Sequence, residues 1–73
     1  MSNIAKSSTG SVLTLSFDRP EKMNALTRDM YGDLAAALNG AAGDFAVRAV
    51  ILTSTGAHFT AGNDIKDFME NPP

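Results

Sequence analysis

The chain has no cysteine and only one histidine, which restricts the metal and redox chemistry open to its 73 residues. Without cysteine, neither disulfides nor thiolate metal sites can form, and the sequence says nothing about redox compartment. His58 alone cannot build a zinc site, because such a site needs three or four suitable ligands. We therefore expect no bound metal, and we expect His58 to lie solvated in a polar loop.

Long runs of basic or of apolar residues are also missing. The formal net charge is −2 with six lysines and arginines, and these six are scattered, whereas binding DNA or RNA usually needs a basic face. No stretch approaches the ~20 consecutive apolar residues of a membrane span. The first eight residues lack the apolar core of a secretory signal. The sequence therefore predicts a cytoplasmic protein without nucleic-acid or membrane partners.

The length allows at most one small domain. A chain of about 60 residues buries only about 60% of its unfolded surface, so its stability is marginal without disulfides, bound metals or partner chains. The hydrophobic content of 44% is ordinary for a folded chain, which argues against wholesale disorder. We expect a folded chain with a small core.

Residues Ser11–Phe17 alternate between apolar and polar side chains, which is the period-2 pattern of a strand with one buried face. Turn residues precede this run at positions 7–10, so residues 3–6 are a candidate first strand of a hairpin. Pro20 ends the predicted strand, because proline has no backbone N–H to donate to a neighbouring strand.

A helix is predicted for residues 27–42, with Thr27 as its N-cap and Gly43 at its C-terminal end. Its apolar stripe consists of Met30, Leu34, Ala37, Leu38 and Ala41. The β-branched run 47–53 suits a strand that is covered on both faces, as in a parallel sheet. Strand, helix and strand in this order predict a right-handed βαβ unit. Residues 65–69 resemble the first turns of a second helix.

Two loops are candidates for a ligand site, because ligands of α/β units bind at the carboxyl ends of strands. The first is Arg19-Pro-Glu-Lys-Met-Asn-Ala-Leu26, and the second is Phe59-Thr-Ala-Gly-Asn-Asp-Ile-Lys66. Gly62 allows the backbone to approach a ligand closely. We expect Phe59 and Phe68 to anchor the second loop and its helix by burial, each contributing on the order of 1.5–3 kcal/mol.

Three segments of the chain resemble the crotonase superfamily, the enoyl-CoA hydratase/isomerase family. Residues 19–26 resemble the family's "RPEKxNAL" segment, and residues 47–53 resemble the strand that follows it. Residues 59–68 resemble the "FxAGxDxKxF" loop. The match runs from Val12 to Phe68 in the right order. It implies an α/β fold that forms the N-terminal ββαβ portion of a crotonase (ClpP-like) spiral, with residues 1–73 as an incomplete N-terminal part of the catalytic domain.

The resemblance implies an acyl-CoA thioester as substrate, with coenzyme A as part of that substrate and no separate cofactor. Family members stabilise an enolate on the thioester carbonyl with two backbone N–H groups, and one of these maps to Asn63. The carbonyl of Ala25 would accept from the adenine amine, and Lys22 and Lys66 would meet phosphates. The remaining residues assigned to CoA binding are Ala61, Gly62, Asp64 and Ile65.

The family's second N–H donor and the glutamate acid/base of hydratases map beyond residue 73. Hydratase and isomerase activity therefore remain open, and the 73 residues alone are expected to be inactive. Asp64 is expected to be a helix N-cap rather than a substitute acid. Family members are trimers or hexamers, so we expect a homo-oligomer or a missing C-terminal part. The alternative is a non-catalytic βαβ fragment that acts only through oligomerisation or a partner chain.

Overall fold

A computed structural model describes residues 3–70 of the chain. Along the sequence, these residues form two strands, a short 3-10 turn, a helix, a third strand and a second helix. The elements are β1 (Ile4–Thr9), β2 (Val12–Phe17), the turn Pro20–Lys22, α1 (Arg28–Ala42), β3 (Ala49–Ser54) and α2 (Ile65–Glu70).

The three strands form one sheet in the order β1-β2-β3. β1 and β2 pair antiparallel, with Thr9 opposite Val12. β2 and β3 pair parallel, with Leu15 opposite Leu52, and α1 provides the crossover between them. The predicted βαβ connection with parallel strands is therefore confirmed.

The first hairpin differs in extent from the sequence prediction. β1 continues to Thr9, so the reversal is a two-residue turn at Gly10 and Ser11 rather than a longer turn over residues 7–10. Gly10 has φ of 60°, a left-handed conformation that suits a tight hairpin turn and is easiest for glycine. Ser and Thr are tolerated before the turn because the β1 side chains beyond Ile4 are exposed.

Helix α1 begins and ends where its capping residues predict. The hydroxyl of Thr27 accepts a hydrogen bond from the Met30 N–H at 3.2 Å, which satisfies one of the free donors of the first turn. Gly43 is the C-cap, and its N–H donates to the Ala41 carbonyl. The buried Met30 and the half-buried Leu34 contact the core, whereas Leu38 is exposed despite its place in the predicted stripe.

The core lies between the sheet and α1. Five side chains form it, and Leu15 and Met30 are the most completely buried: Ile4, Leu13, Leu15, Phe17 and Met30. β2 alternates between buried and half-buried residues, as the period-2 pattern predicts.

The prediction that the third strand is covered on both faces is wrong for the described residues. β3 begins two residues later than expected, at Ala49, and its residues Val50, Ile51 and Leu52 are all exposed. β3 lies at one edge of the sheet, and α1 does not cover these three side chains. Its apolar run is suited to contacts that residues 3–70 do not supply.

Within residues 3–70, no helix has the length and apolar character needed to cross a membrane. α1, the longer of the two helices, has 15 residues.

Candidate functional site

The two candidate loops lie against each other at one end of the sheet. The Leu26 N–H donates to the Gly62 carbonyl at 2.7 Å, and the Asp64 N–H donates to the Leu26 carbonyl at 2.8 Å. A third backbone bond joins the Ala61 N–H to the Met23 carbonyl at 3.0 Å. The loops that the sequence singles out separately therefore form one structural unit.

The backbone N–H of Asn63 lies between bonded neighbours but donates to none of residues 3–70. Leu26 and Asn63 form an isolated parallel bridge, in which the flanking Gly62 carbonyl and Asp64 N–H both face Leu26. Successive peptide groups of an extended segment point to opposite sides. The Asn63 N–H therefore points away from Leu26, and it has no acceptor among the residues that the structure describes.

Asn24 is the one buried polar side chain within residues 3–70. Its Oδ1 accepts from the Arg19 N–H at 2.7 Å, and its Nδ2 donates to the carbonyls of Thr55 and His58 at 2.6 and 2.7 Å. Three hydrogen bonds compensate for its complete burial. Asn24 has φ of 56°, and asparagine tolerates this left-handed conformation better than most residues.

Thr60 connects this buried asparagine to the second loop. Its hydroxyl donates to the Asn24 carbonyl at 2.7 Å and accepts from the Gly62 N–H at 3.1 Å. One hydroxyl thus joins the first loop to the residue that immediately precedes Asn63.

A half-buried ion pair closes the site on its other side. Nη1 of Arg19 lies 2.7 Å from Oδ2 of Asp64 and donates to the Ala25 carbonyl at 3.0 Å. The second oxygen of Asp64, Oδ1, accepts from the Asp67 N–H at 3.0 Å. Asp64 is therefore the N-cap of α2, as the sequence predicts, and also the counter-ion of Arg19.

The pKa of Asp64 lies below its usual value of 3.8, chiefly because the Asp67 N–H donates to the carboxylate and also because Arg19 pairs with it. A lowered pKa in the folded state stabilises the fold above pH 3.8, and this contribution is lost as the pH falls through the folded pKa. We expect Asp64→Asn, which keeps the cap but removes the charge, to lose this contribution.

In urea unfolding, the difference in free energy between the protein and the Asp64→Asn variant should be largest above about pH 4. It should shrink as the pH falls below 3.8. A difference that stayed constant through this range would mean that Asp64 does not interact as an ion.

A cleft of about 540 Å³ opens between the two loops and α2. Six of the eight predicted site residues line it: Lys22, Ala25, Asn63, Asp64, Ile65 and Lys66. Ala61 and Gly62 do not line it and instead make the backbone bonds between the loops. The carboxylates that line the cleft outnumber its cations by one, with three cations against four carboxylates: Arg19, Lys22 and Lys66 against Glu21, Asp64, Asp67 and Glu70.

The side chain of Asn63 is held from the helix side. The Tyr31 hydroxyl donates a hydrogen bond to Oδ1 of Asn63. The Tyr31 ring packs edge-on against the half-buried Phe68, with ring centroids 6.1 Å apart. Phe68 therefore anchors α2 near α1, as expected.

The expectation that Phe59 is buried is wrong. Its side chain is 52% exposed, although its ring lies 5.2 Å from that of the buried Phe17. The segment 55–58 before it is held by hydrogen bonds that Nδ2 of Asn24 donates to its carbonyls, rather than by an apolar anchor. His58 itself is exposed, as predicted.

No group of three or more residues suited to hold a metal ion occurs within positions 3–70.

Sequence reasoning did not assign roles to four residues that build this site. Asn24 and Arg19 lie inside the first motif, and Thr60 lies inside the second, but the motifs do not reveal which side chains join them. Tyr31 is on α1, outside both motifs, and no sequence signal indicated that its hydroxyl would bond Asn63.

The ββαβ fold and the paired loops are those expected of the crotonase superfamily, and comparison with known proteins agrees with this expectation. Residues 7–73 match the family model described as enoyl-CoA hydratase/isomerase. The chain belongs to this family, and its α/β sheet is a portion of the crotonase fold.

Individual relatives cover most of this chain. It is 34% identical over 62 residues to human enoyl-CoA delta isomerase 2, covering 85% of this chain and 16% of that protein. It is 36% identical over 61 residues to 1,2-epoxyphenylacetyl-CoA isomerase of Escherichia coli K12, covering 84% of this chain and 23% of that protein.

Solved structures agree with the fold. OdaA of Pseudomonas aeruginosa is 51% identical with a TM-score of 0.91, covering 97% of this chain and 29% of that one. An enoyl-CoA hydratase/isomerase of Pseudoalteromonas atlantica T6c is 45% identical with a TM-score of 0.91, covering 97% of this chain and 28% of that one. The chain thus spans less than a third of these structures and less than a quarter of the two curated relatives.

Proposed function

We propose that the chain supplies part of an acyl-CoA site in which the Asn63 N–H binds the thioester oxygen. The observation that carries this proposal is the Asn63 backbone N–H, which has no acceptor within residues 3–70 and belongs to a residue that lines the cleft. A fixed N–H donor stabilises the negative charge that develops on a thioester oxygen when an enolate forms.

Fixed geometry favours this role over a mere turn. The Gly62 carbonyl, which shares a peptide group with the Asn63 N–H, accepts from the Leu26 N–H, and the next peptide group donates its Asp64 N–H to the Leu26 carbonyl. The peptide group that carries the Asn63 N–H therefore has little freedom to rotate. A donor that is already oriented costs no reorganisation when charge develops, which is why preorganised donors are effective in catalysis.

The lysines of the cleft are proposed to bind the CoA phosphates individually. Lys22 and Lys66 both line the cleft, but four carboxylates also line it, so a general positive field is absent from this part of the site. The Ala25 carbonyl, proposed to accept from the adenine amine, already accepts from Arg19 at 3.0 Å. A carbonyl has two acceptor lone pairs, so the second remains for a ligand.

A second candidate function is supported by β3. This edge strand exposes Val50, Ile51 and Leu52, and an exposed apolar edge readily pairs with another strand. The accessible surface is 4972 Å², compared with about 4,300 Å² for a compact monomer of this size. In this alternative, the 73 residues act only through oligomerisation or a partner chain that covers β3.

Intact mass and ligand binding distinguish the two functions. The material to test is the whole protein, meaning this chain with any sequence that accompanies it in its gene. The acyl-CoA proposal predicts saturable binding and turnover of an enoyl-CoA thioester such as crotonyl-CoA. If material of known mass assembles into a defined oligomer but binds neither acyl-CoA nor free CoA, the alternative is supported.

A further inference from the structure

We propose that Asn24 and Thr60 are positioning residues that fix the direction of the Asn63 backbone N–H. This inference rests on the proposed function, because it concerns the same donor. Neither side chain needs to touch the substrate. Together they form what we call the Asn24–Thr60 bridge, which consists of the Asn24 side chain, its carbonyl and the Thr60 hydroxyl.

The first step of the argument is the peptide group between Gly62 and Asn63. The described residues contain no cis peptide bond, and in a trans peptide the C=O and the following N–H point in opposite directions. The Gly62 carbonyl is directed at the Leu26 N–H, 2.7 Å away. The Asn63 N–H is consequently directed away from Leu26 as long as Gly62 keeps this orientation.

The hydrogen bond from Leu26 holds only the carbonyl side of Gly62, and packing does not hold the rest of the residue. It has φ of 93°, and a Cβ added at this position would meet nothing within 4 Å. Close packing therefore does not hold this residue, and glycine has the greatest backbone freedom of all residues. The Thr60 hydroxyl restrains it by accepting from the Gly62 N–H at 3.1 Å.

The Thr60 hydroxyl is in turn oriented by the first loop. It donates to the Asn24 carbonyl at 2.7 Å, so its lone pairs remain free to accept from Gly62. Asn24 cannot shift easily, because its fully buried side chain makes three hydrogen bonds to Arg19, Thr55 and His58. The Leu26 N–H holds the carbonyl side of Gly62, and the bridge holds its N–H side by a hydrogen bond to a hydroxyl that a buried, satisfied side chain keeps in place.

Threonine offers a matched pair of variants at the centre of the bridge. Thr60→Val has nearly the same shape but loses the hydroxyl, whereas Thr60→Ser keeps the hydroxyl and loses a methyl group. A misdirected N–H donor lowers the rate of the chemical step more than it weakens substrate binding. We therefore expect Thr60→Val to lower kcat about tenfold or more. KM should change by less than about twofold, and Thr60→Ser should restore most of kcat.

Asn24→Asp tests the other end of the bridge, and it is the variant to use if Thr60→Val does not fold. Aspartate keeps the size and the acceptor for Arg19 but places carboxylate oxygen against two carbonyls in place of an N–H₂ donor. We expect the same lowering of kcat at nearly constant KM in the fraction that folds, as counted by active-site titration with a tight-binding acyl-CoA analogue.

The experiment measures kcat and KM for crotonyl-CoA in the whole protein, together with Asn63→Pro as a reference that lacks the donor. If the unaltered protein turns over no acyl-CoA, the proposed function fails and this inference with it. If the protein is active and Asn63→Pro is not, but Thr60→Val matches the unaltered protein, the proposed function stands and the bridge is overturned. A loss in Thr60→Val that Thr60→Ser does not restore also overturns it, because the hydroxyl would then not be the cause.

Discussion

Replacing Asn63 by proline is expected to lower kcat/KM of the whole protein for crotonyl-CoA by about 10²–10³-fold, because proline removes the backbone N–H that we assign to the thioester oxygen. This loss corresponds to about 2.7–4 kcal/mol of transition-state stabilisation. Asn63→Ala is expected to keep most of the activity, because it retains the N–H. Steady-state kinetics on the folded variants measure both effects.

Asn63→Ala is a sharper control than a neighbouring proline. It removes the hydrogen bond from the Tyr31 hydroxyl to Oδ1, and an exposed bond of this kind contributes only about 0.5–1.5 kcal/mol. Proline at Asp64 would not serve as a control for activity, since it removes the N–H that donates to the Leu26 carbonyl at 2.8 Å and also restricts the backbone of Asn63 itself. If Asn63→Ala lost as much activity as Asn63→Pro while folding normally, the side chain would be the functional group and the backbone assignment would be wrong.

A polypeptide of residues 1–73 alone is expected to show no measurable hydration of crotonyl-CoA. The described site offers the Asn63 N–H as its proposed donor to the thioester oxygen, whereas the family resemblance implies two such donors, the second of which maps beyond residue 73. The glutamate acid/base that the resemblance implies also maps beyond residue 73, and Asp64 is not a substitute for it. The carboxylate of Asp64 is held by the Asp67 N–H and Arg19, which lower its pKa, so it is a poor proton donor near neutral pH. When one of several groups that act together is absent, the loss of catalytic rate is far larger than that group's individual share.

The measurement is a crotonyl-CoA assay on material whose intact mass shows that it ends at Pro73. The whole protein, assayed at the same concentration of sites, is the matched control. Turnover by the 73-residue polypeptide above the rate of the Asn63→Pro version of that same polypeptide would contradict our account of the site.

The local elements were largely predictable because each depends on neighbouring residues. The alternation of Val12–Phe17, the N-cap Thr27 and the C-cap Gly43 each act within a few positions and are confirmed by the structure. The turn at Gly10 was misplaced, because serine and threonine at positions 7–9 are compatible with both a turn and an exposed strand.

Contacts between distant segments were not predictable in the same way. The environment of β3 depends on what packs against it, so its apolar run could not show that residues 3–70 leave it exposed. Likewise, the two site motifs contain Asn24 and Thr60, but only the fold brings these residues, 36 positions apart, within 2.7 Å of each other. The sequence indicated where chemistry could occur, and the structure shows which side chains hold that place together.

The most direct test of the central claim is the carbonyl stretching frequency of a thioester bound to the whole protein. A non-reacting acyl-CoA labelled with ¹³C at the thioester carbonyl would be compared with and without an ester link in place of the Gly62–Asn63 amide. That ester removes the Asn63 N–H and keeps the side chain, but it also weakens the Gly62 carbonyl as the acceptor for the Leu26 N–H. An ester at Asp64 removes the N–H that bonds the Leu26 carbonyl and leaves the Asn63 N–H in place, so it controls for weakening of the contact with Leu26.

A hydrogen-bond donor to the thioester oxygen lowers its stretching frequency, because it polarises the carbonyl toward the charge distribution of the enolate. Our account predicts a shift to lower frequency in the unaltered protein, retention of that shift with the ester at Asp64, and loss of a large part of it with the ester at Asn63. An equal shift in all three proteins would contradict the assignment of the Asn63 N–H as the donor.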